Sequence, residues 1–340
     1  MSIFMNRLLS WSLVIYMMFF LSTAFAGEKA KDEKEYTVTM VLWRGITDAE
    51  KGFMDFLKSQ NMKVRFIIKD CEKDKKRLHG FVDEIKVSKP DLVYTFGTTV
   101  TRGVVGTLSD RSADRHILDM PVVFNIVSDP VGAKLTSSLE SSYSNFTGVS
   151  HSVPIETQIK VMKKAKPLNN MAVIYNPLER NSMLTVSALR LQAQKDGFSL
   201  LEAPLVVGDN GKPKLDSLFE NMARMARAKP DFLYLPPDSF LIANADSLIS
   251  TANRYKIASF SSTEGPIRKS GALLGIVSTY YSVGKFAGYK AQQILLGKKQ
   301  ADLLPIETLK KFSLLVNINT AKKIDFFPPI SMLAVAEVVQ

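Results

Sequence analysis

Five short polar stretches carry the side chains of this chain that could do chemistry. They are Trp43-Arg44-Gly45, Gly97-Thr98-Thr99, Ser128-Asp129-Pro130, the run NPLERNS from Asn176 to Ser182, and Pro237-Asp238-Ser239. Hydroxyls, amides and carboxylates dominate them, groups that grip a polar solute by hydrogen bonds and charge. A catalytic reading finds less support. There is no G-x-G-x-x-G, no P-loop and no G-x-S-x-G elbow, and His79, His116 and His151 are too scattered to pair as metal ligands. Asp129 and Asp238 could in principle work as acid and base across a cleft, yet nothing signals a nucleophile, metal or cofactor. The sequence therefore points to a non-enzyme without a cofactor. Taken singly, each stretch also reads as a helix cap, because Ser, Thr, Asp and Asn are the favoured N-caps. Five on one edge of a fold point instead to a polar ligand pocket, and a helix start offers N–H groups and a positive dipole end to a carboxylate.

The elements that must position these stretches follow from hydrophobic periodicity. Residues 36–43 (YTVTMVLW) read as a strand, and 47–59 as a helix with Phe53, Phe56 and Leu57 on one face. Strands at 64–68, 92–96 and 121–127 and a helix at 78–87 complete a first round. A second round begins near residue 150, with helices at 155–165, 182–196 and 215–228 and strands at 171–175, 199–207 and 232–235. The alternation argues for an α/β fold with parallel sheets covered on both faces, whose buried strands are continuously apolar. An internal echo supports two equivalent halves: KPDLVYTFGTT at 89–99 is repeated as KPDFLYLPPDS at 229–239. In both, Lys-Pro stops a helix, Asp leads into a buried strand, and the strand's carboxyl end opens into a polar loop. Ligands of open α/β sheets bind beyond those carboxyl ends, so Thr98-Thr99 and Asp238-Ser239 are expected to face each other across one cleft.

Length and composition agree. A chain of 340 residues, 46% hydrophobic and 23% charged, fits two globular lobes rather than one core. Arg7 precedes an apolar run at 8–21 and then Ser22-Thr23-Ala24-Phe25-Ala26, an A-x-A site followed by Gly27. This reads as a signal peptide (1–26) cleaved after Ala26, its apolar run short for a membrane span; the alternative is an uncleaved anchor. No cysteine sits at the cleavage site, so a lipid anchor is not expected, and the mature protein is placed in the periplasm or outside the cell. Cys71, the single cysteine, reads as an inert thiol. The formal charge of +11 falls to +10 without Arg7. Basic residues are interleaved with acids, as in Glu72-Lys73-Asp74-Lys75-Lys76-Arg77, which describes a solvated face rather than a nucleic-acid surface. Asn145-Phe146-Thr147 fits a glycosylation acceptor but has no consequence in a bacterial-looking exported protein.

Several of these segments in order resemble one family. Ser128-Asp129-Pro130-Val131, Asn145-Phe146-Thr147-Gly148-Val149-Ser150, Tyr175-Asn176-Pro177 through Asn181-Ser182, Pro237-Asp238-Ser239 and the tail GKKQADLLPIE at 297–307 are similar to signature segments of the ABC-transporter substrate-binding proteins related to the tryptophan- and tyrosine-binding proteins. The likeness spans roughly residues 36 to 328. It departs at Ser239, where the family often has Asn, and at Gly97-Thr98-Thr99-Val100, where Thr-Pro-Ala is more usual. The resemblance implies a type I periplasmic binding-protein fold: two Rossmann-like lobes joined by three hinge crossings near Ser150, Val277 to Tyr280 and Pro305. Lobe 1 would comprise 36–149 plus 278–305 and lobe 2 would comprise 150–277 plus 306–330, with the helix at 282–296 returning to lobe 1.

The resemblance also implies an amino-acid-like ligand, with aromatic amino acids among the candidates. Its carboxylate would meet Thr98, Thr99 and Ser182 at helix starts, with Asn176 and Asn181 adding amides. Its ammonium would face Asp129 or Asp238, near Ser128 and Ser239. Trp43, and Tyr280 or Tyr281, would wall its side chain, and Glu179 and Arg180 would be gate charges or solvated loop charges. The implied role is a monomeric importer component that closes on a small molecule and delivers it to an ABC permease in the inner membrane. A binding protein feeding a membrane receptor, or a cleft enzyme, is the alternative.

Overall fold

The computed structural model describes residues 34–340; the leader expected at 1–26 and its cleavage site lie outside them. Residues 36–340 form one unit. Its first half runs β1 (Tyr36–Leu42), α1 (Asp48–Ser59), β2 (Val64–Asp70), α2 (Arg77–Ser88), β3 (Leu92–Phe96), α3 (Gly97–Val105), β4 (Val122–Val127) and β5 (Phe146–Ser150). The second half repeats the plan with α4 (Ile155–Ala165), β6 (Asn170–Tyr175), α5 (Arg180–Asp196), β7 (Ser199–Pro204), α6 (Leu215–Ala228), β8 (Phe232–Leu235), α7 (Ser239–Ala243), α8 (Ala245–Arg254), β9 (Ser259–Ser261), α9 (Glu264–Ser270) and β10 (Leu274–Val277). A closing segment adds α10 (Tyr280–Leu295), β11 (Glu307–Thr308), β12 (Ser313–Asn317), α11 (Ile318–Lys323), α12 (Ile330–Leu333) and β13 (Glu337–Val339).

Two sheets result, ordered β11-β5-β4-β3-β1-β2 and β13-β12-β10-β9-β8-β6-β7. All pairings are parallel except β10 with β12. Strands β2-β1-β3-β4-β5 and β7-β6-β8-β9-β10 follow one order, so each sheet reverses direction of growth between its first and third strands, which is where α/β sheets form their clefts. Period-two alternation sends Leu92 and Tyr94 to one face of β3 and Val93 to the other, and each sheet is packed between two cores.

The echo has the same mechanics in both lobes. Lys89 and Lys229 cap α2 and α6 in the left-handed conformation, at φ 43° and 48°, and the following proline bars continuation of the helix. Asp91 then accepts the Thr37 N–H at 2.8 Å, while Asp231 accepts the N–H groups of Asn169 and Asn170 at 2.8 and 3.0 Å. The carboxylate thus pins the start of the neighbouring strand. Tyr94 and Tyr234, fully buried, donate to Glu50 at 2.8 Å and Gln158 at 2.9 Å.

The lobes exchange helices. After β5 the chain crosses at residues 151–154 and places α4 in the core of the second lobe through Ile159 and Met162. After β10 it crosses back at 278–279, and α10 buries Val283, Ala287 and Ala291 against the first lobe. The third crossing differs slightly from expectation. The first sheet extends past residue 305, because Glu307–Thr308 pairs with β5 before the chain leaves, and the second lobe runs to Val339, where β13 pairs with β12.

Helix α10 meets α1 with almost no space between backbones. A Cβ at Gly284 would lie 2.0 Å from the Ala49 carbonyl oxygen, and one at Gly52 would lie 2.1 Å from that of Tyr281. By contrast, Gly80 in α2 has nothing within 4 Å of an added Cβ. Gly284→Ala is therefore expected to lower the unfolding free energy by about 1–3 kcal/mol through overpacking, whereas Gly80→Ala raises it by about 0.5–1 kcal/mol through helix propensity. Urea unfolding curves of the two variants test this; shifts of the same sign would refute the close-packing account.

Candidate functional site

Between the lobes the carboxyl ends of β1, β3 and β4 confront those of β6 and β8. Among the described residues, three spaces follow one another along the cleft. The inner one, about 40 Å³, has walls of Trp43, Arg44, Phe96, Thr98, Thr99, Ile126, Ser128 and Tyr280 alongside His151, Glu179, Asn181 and Ser239. Towards the hinge it shares Ser128, His151, Asn181 and Pro237 with a chamber of about 310 Å³. Away from the hinge it shares Thr98 and Thr99 with an outer space of about 370 Å³ whose charged walls are Lys75, Arg102, Arg180 and Asp110. The lobes touch across the cleft, since the Arg180 guanidinium of α5 donates to the Gly132 carbonyl at 2.9 Å.

Six of the residues expected from sequence, Trp43, Thr98, Thr99, Ser128, Asn181 and Ser239, line the inner cavity. Asp129 instead lines the hinge-side chamber and accepts the Gly132 N–H at 2.8 Å. Asn176, Ser182 and Asp238 stand behind the wall and line none of the three spaces. The reason is hydrogen-bond saturation at Asp238, which is 0% exposed. One carboxylate oxygen accepts the N–H groups of Phe240 and Leu241 at 3.0 Å each, capping α7; the other accepts the Asn176 N–H at 2.7 Å and the Ser182 hydroxyl at 2.8 Å. Asp238 is thus a knot that ties the β6 and β8 loops together, not a contact for a ligand ammonium. Tyr280 reaches the inner cavity, whereas Tyr281 is 41% exposed and donates to Asp55 at the surface.

Glu179 takes the place that sequence reasoning gives to Asp238. Its carboxylate lines the inner cavity and accepts both the N–H and the hydroxyl of Ser239 at 2.8 Å. Burial, and then the neighbouring Asp238 charge, push its pKa up to about 7. Burial raises Asp238 as well, but four donors favour its anion, so Glu179 is the member of the pair that takes up a proton. Facing it across the cavity, Arg44 extends over the Phe96 ring at 5.5 Å. Tyr280 packs edge-on against Phe96 and His151, with ring centroids 6.2 and 5.9 Å apart. The helices α3 and α5 begin at the cavity without a side-chain cap, which leaves their first N–H groups directed at it.

The floor of the cavity depends on a strained residue. Ile126 adopts φ 57° at a bulge where the β4–β5 register shifts, a costly conformation for a β-branched side chain. A buried relay holds it: Glu50 accepts the Tyr94 hydroxyl, Asn125 donates to that hydroxyl at 3.1 Å, and the Asn125 side-chain carbonyl accepts the Ile126 N–H at 3.1 Å. Bulges re-aim side chains, and here Ile126 and Ser128 are turned to the cavity. Sequence reasoning places Arg44 in a strand-end stretch without singling it out, assigns no role to Phe96 and Ile126, and treats His151 as a lone histidine. The one signal for His151 is its place a single residue beyond β5, equivalent to the other strand ends.

Two sheets with mostly parallel strands, interleaved helices and a cleft at the paired carboxyl ends define a type I periplasmic binding-protein fold. Solved structures agree. A conserved domain protein from Vibrio cholerae superposes with a TM-score of 0.78 at 24% identity, over 90% of this chain and 100% of that one. The ABC domain from Streptococcus pneumonia in complex with L-Trp does so with a TM-score of 0.75 at 21% identity, over 89% and 100%. Residues 38–340 match the model of the ABC transporter substrate binding protein family, and the chain belongs to that family. It is also 27% identical over 302 residues to a tyrosine-binding protein of Clostridioides difficile, covering 87% of this chain and 82% of the relative.

Two expectations follow from the buried acids. Asp238→Ala strands the donors of Asn176 and Ser182 and uncaps α7, and should cost at least about 2 kcal/mol of stability in chemical unfolding; a near-neutral effect would contradict the knot. For Glu179 the native pKa, about 7, exceeds the ordinary 4.5, so between those values the native state holds more protons than the unfolded one. Stability contributed by this group is full below pH 4.5 and is lost as pH rises through 7. Glu50, also raised by burial, adds to the same trend. The slope of unfolding free energy against pH should therefore be shallower in Glu179→Gln than in the native sequence across that window, and equal slopes would contradict the assignment.

Proposed function

We propose that this substrate-binding protein is exported and captures an amino acid, of the aromatic class, by closing its lobes, and delivers it as a monomer to an ABC permease in the inner membrane. One observation carries the reading: the inner cavity brings a guanidinium from the first lobe, Arg44, and a carboxylate from the second, Glu179, to one space walled by Trp43, Phe96 and Tyr280. A ligand carboxylate is matched by Arg44, by the hydroxyls of Thr98 and Thr99 and by the open start of α3, and its ammonium by Glu179. The names of its relatives agree with this class, one being a tyrosine-binding protein and another a domain solved with L-Trp. Charges from opposite lobes can be satisfied together only in the closed arrangement, so the ligand selects closure by differential contact. The cations Lys75, Arg102 and Arg180 at the outer space favour approach of the anionic end.

A thermal-shift and calorimetric panel of amino acids against the purified protein tests the reading. An aromatic amino acid at 100 times its dissociation constant should add about 2.7 kcal/mol of stability. Arg44→Ala should weaken that binding about 10- to 100-fold, the value of a hydrogen bond to a charged group. No response to any amino acid, or undiminished affinity in Arg44→Ala, would overturn it.

A further inference from the structure

The outer space of the cleft is dominated by cations. Its volume of about 370 Å³ falls in the size range of small-molecule sites. Leu78, Thr98, Thr107 and His116 give it a buried floor, while Lys75, Arg102 and Arg180 in its walls are exposed. These cations come from both lobes: Lys75 from the loop before α2, Arg102 from α3, and Arg180 from the start of α5. Helices α3 and α5 approach each other across the cleft, so the three charges gather at one mouth.

Protein acids do not neutralise them. Among the described residues the Lys75 and Arg102 side chains have neither an ion pair nor a hydrogen bond, and Arg180 bonds only to the Gly132 carbonyl. Acids of the loop that carries Lys75 are engaged elsewhere: Asp70 accepts the Glu72 N–H, Asp74 accepts the Lys76 N–H, and Glu72 pairs with Arg77. Asp110 is the single carboxylate in the wall, and it accepts the Thr107 N–H at 2.6 Å and the Thr107 hydroxyl at 2.7 Å. His116 Nδ1 accepts the Ser112 N–H at 3.2 Å, and burial lowers the pKa of the ring, which is neutral at physiological pH. Three cations thus face one carboxylate. Like charges from opposite lobes repel one another and oppose approach of the lobes unless an anion lies between them.

We propose that the outer space is an oxyanion site in its own right, and that a phosphate-like group held there by Lys75, Arg102 and Arg180 ties the two lobes together. Guanidinium and ammonium donors match the oxygens of a multiply charged oxyanion. A lone ligand carboxylate, already matched by Arg44 in the inner cavity, leaves the three outer cations unneutralised. Occupancy of the outer space favours closure, so it couples to whatever the inner cavity binds. The oxyanion is either free in solution or the acidic end of the cleft ligand, and both present the same chemistry to the site. The site stands on its own walls; only its coupling to a cleft ligand rests on the amino-acid reading above.

Inorganic phosphate titrated into the purified protein at constant ionic strength tests the site without any amino acid. The melting temperature should rise along a saturating curve. Lys75→Gln combined with Arg102→Gln should melt at or above the native temperature without phosphate, since neither side chain has a partner to lose, and should abolish the rise. Phosphate also stabilises proteins by exclusion from their surfaces, so saturation and loss in the double variant are what mark the site. A calorimetric arm separates the two sources. If the acidic group belongs to the ligand, O-phospho-L-tyrosine should bind about 10- to 100-fold more tightly than L-tyrosine, and the double variant should erase the difference. If the anion is free, phosphate should tighten L-tyrosine binding about 5-fold or more, and L-tyrosine should tighten phosphate binding by the same factor. A phosphate effect that never saturates or survives in the double variant, together with no preference for the phosphorylated amino acid, overturns the inference. Saturable phosphate binding with no response to any amino acid supports the site and overturns the amino-acid reading instead.

Discussion

The backbone contact between α1 and α10 at Gly52 and Gly284 governs the geometry of the cleft. Helix α10 issues from β10 of one lobe yet packs on the other, so its seat on α1 determines how the second crossing is drawn. Because the contact is carbonyl oxygen against Cα, with no side chain between, the position of α10 has little tolerance. Its first residue, Tyr280, then falls where its ring meets both Phe96 and His151, and its N–H reaches Glu264 of the second lobe at 2.6 Å. One close approach thus sets a hinge, an aromatic wall and a tie between lobes.

The lobes share a scaffold and differ in how the strand ends use their polar groups. At β3 the chain enters α3 through Gly97 with no side-chain cap, and Thr98 and Thr99 stay available at the cleft. At β8 it enters a five-residue helix capped by its own Asp238. That difference decides where charge is presented. Asp238, bonded to the backbone on three sides and to Ser182 on the fourth, fixes the loops and raises the proton affinity of Glu179. Glu179, held by Ser239, carries the second lobe's titratable face into the cavity.

Elements with strong periodicity are legible in the sequence alone. The helices at 155–165 and 215–228 and the strands at 92–96 and 232–235 coincide with the observed bounds, because Lys-Pro and the apolar runs leave few alternatives. Polar residues are harder to place, since a sequence shows a side chain's type but not its partners. Asp238 and Asp129 are alike as letters, yet one is a buried knot and the other accepts a turn N–H in a chamber wall. Glu179 reads as either a gate charge or a solvated loop charge, because the neighbours that bury it are remote in sequence. The positive φ of Ile126 leaves no trace at all in the sequence, since nothing local favours it and only the relay from Glu50 through Tyr94 and Asn125 sustains it.

Closure of such a clamp must not be too favourable in the chain alone, or ligand would add nothing to it. Several contacts favour the closed arrangement, among them the Arg180 bond to Gly132 across the cleft. One burial opposes it: the Glu179 carboxylate beside Asp238 is disfavoured unless a proton or a cation is present. That opposing term sits in the wall of the inner cavity. On the reading proposed above, a ligand ammonium would relieve it, so the group that recognises the ligand would also bias the lobes apart without it, and the ligand would shift closure by the free energy with which it satisfies that group.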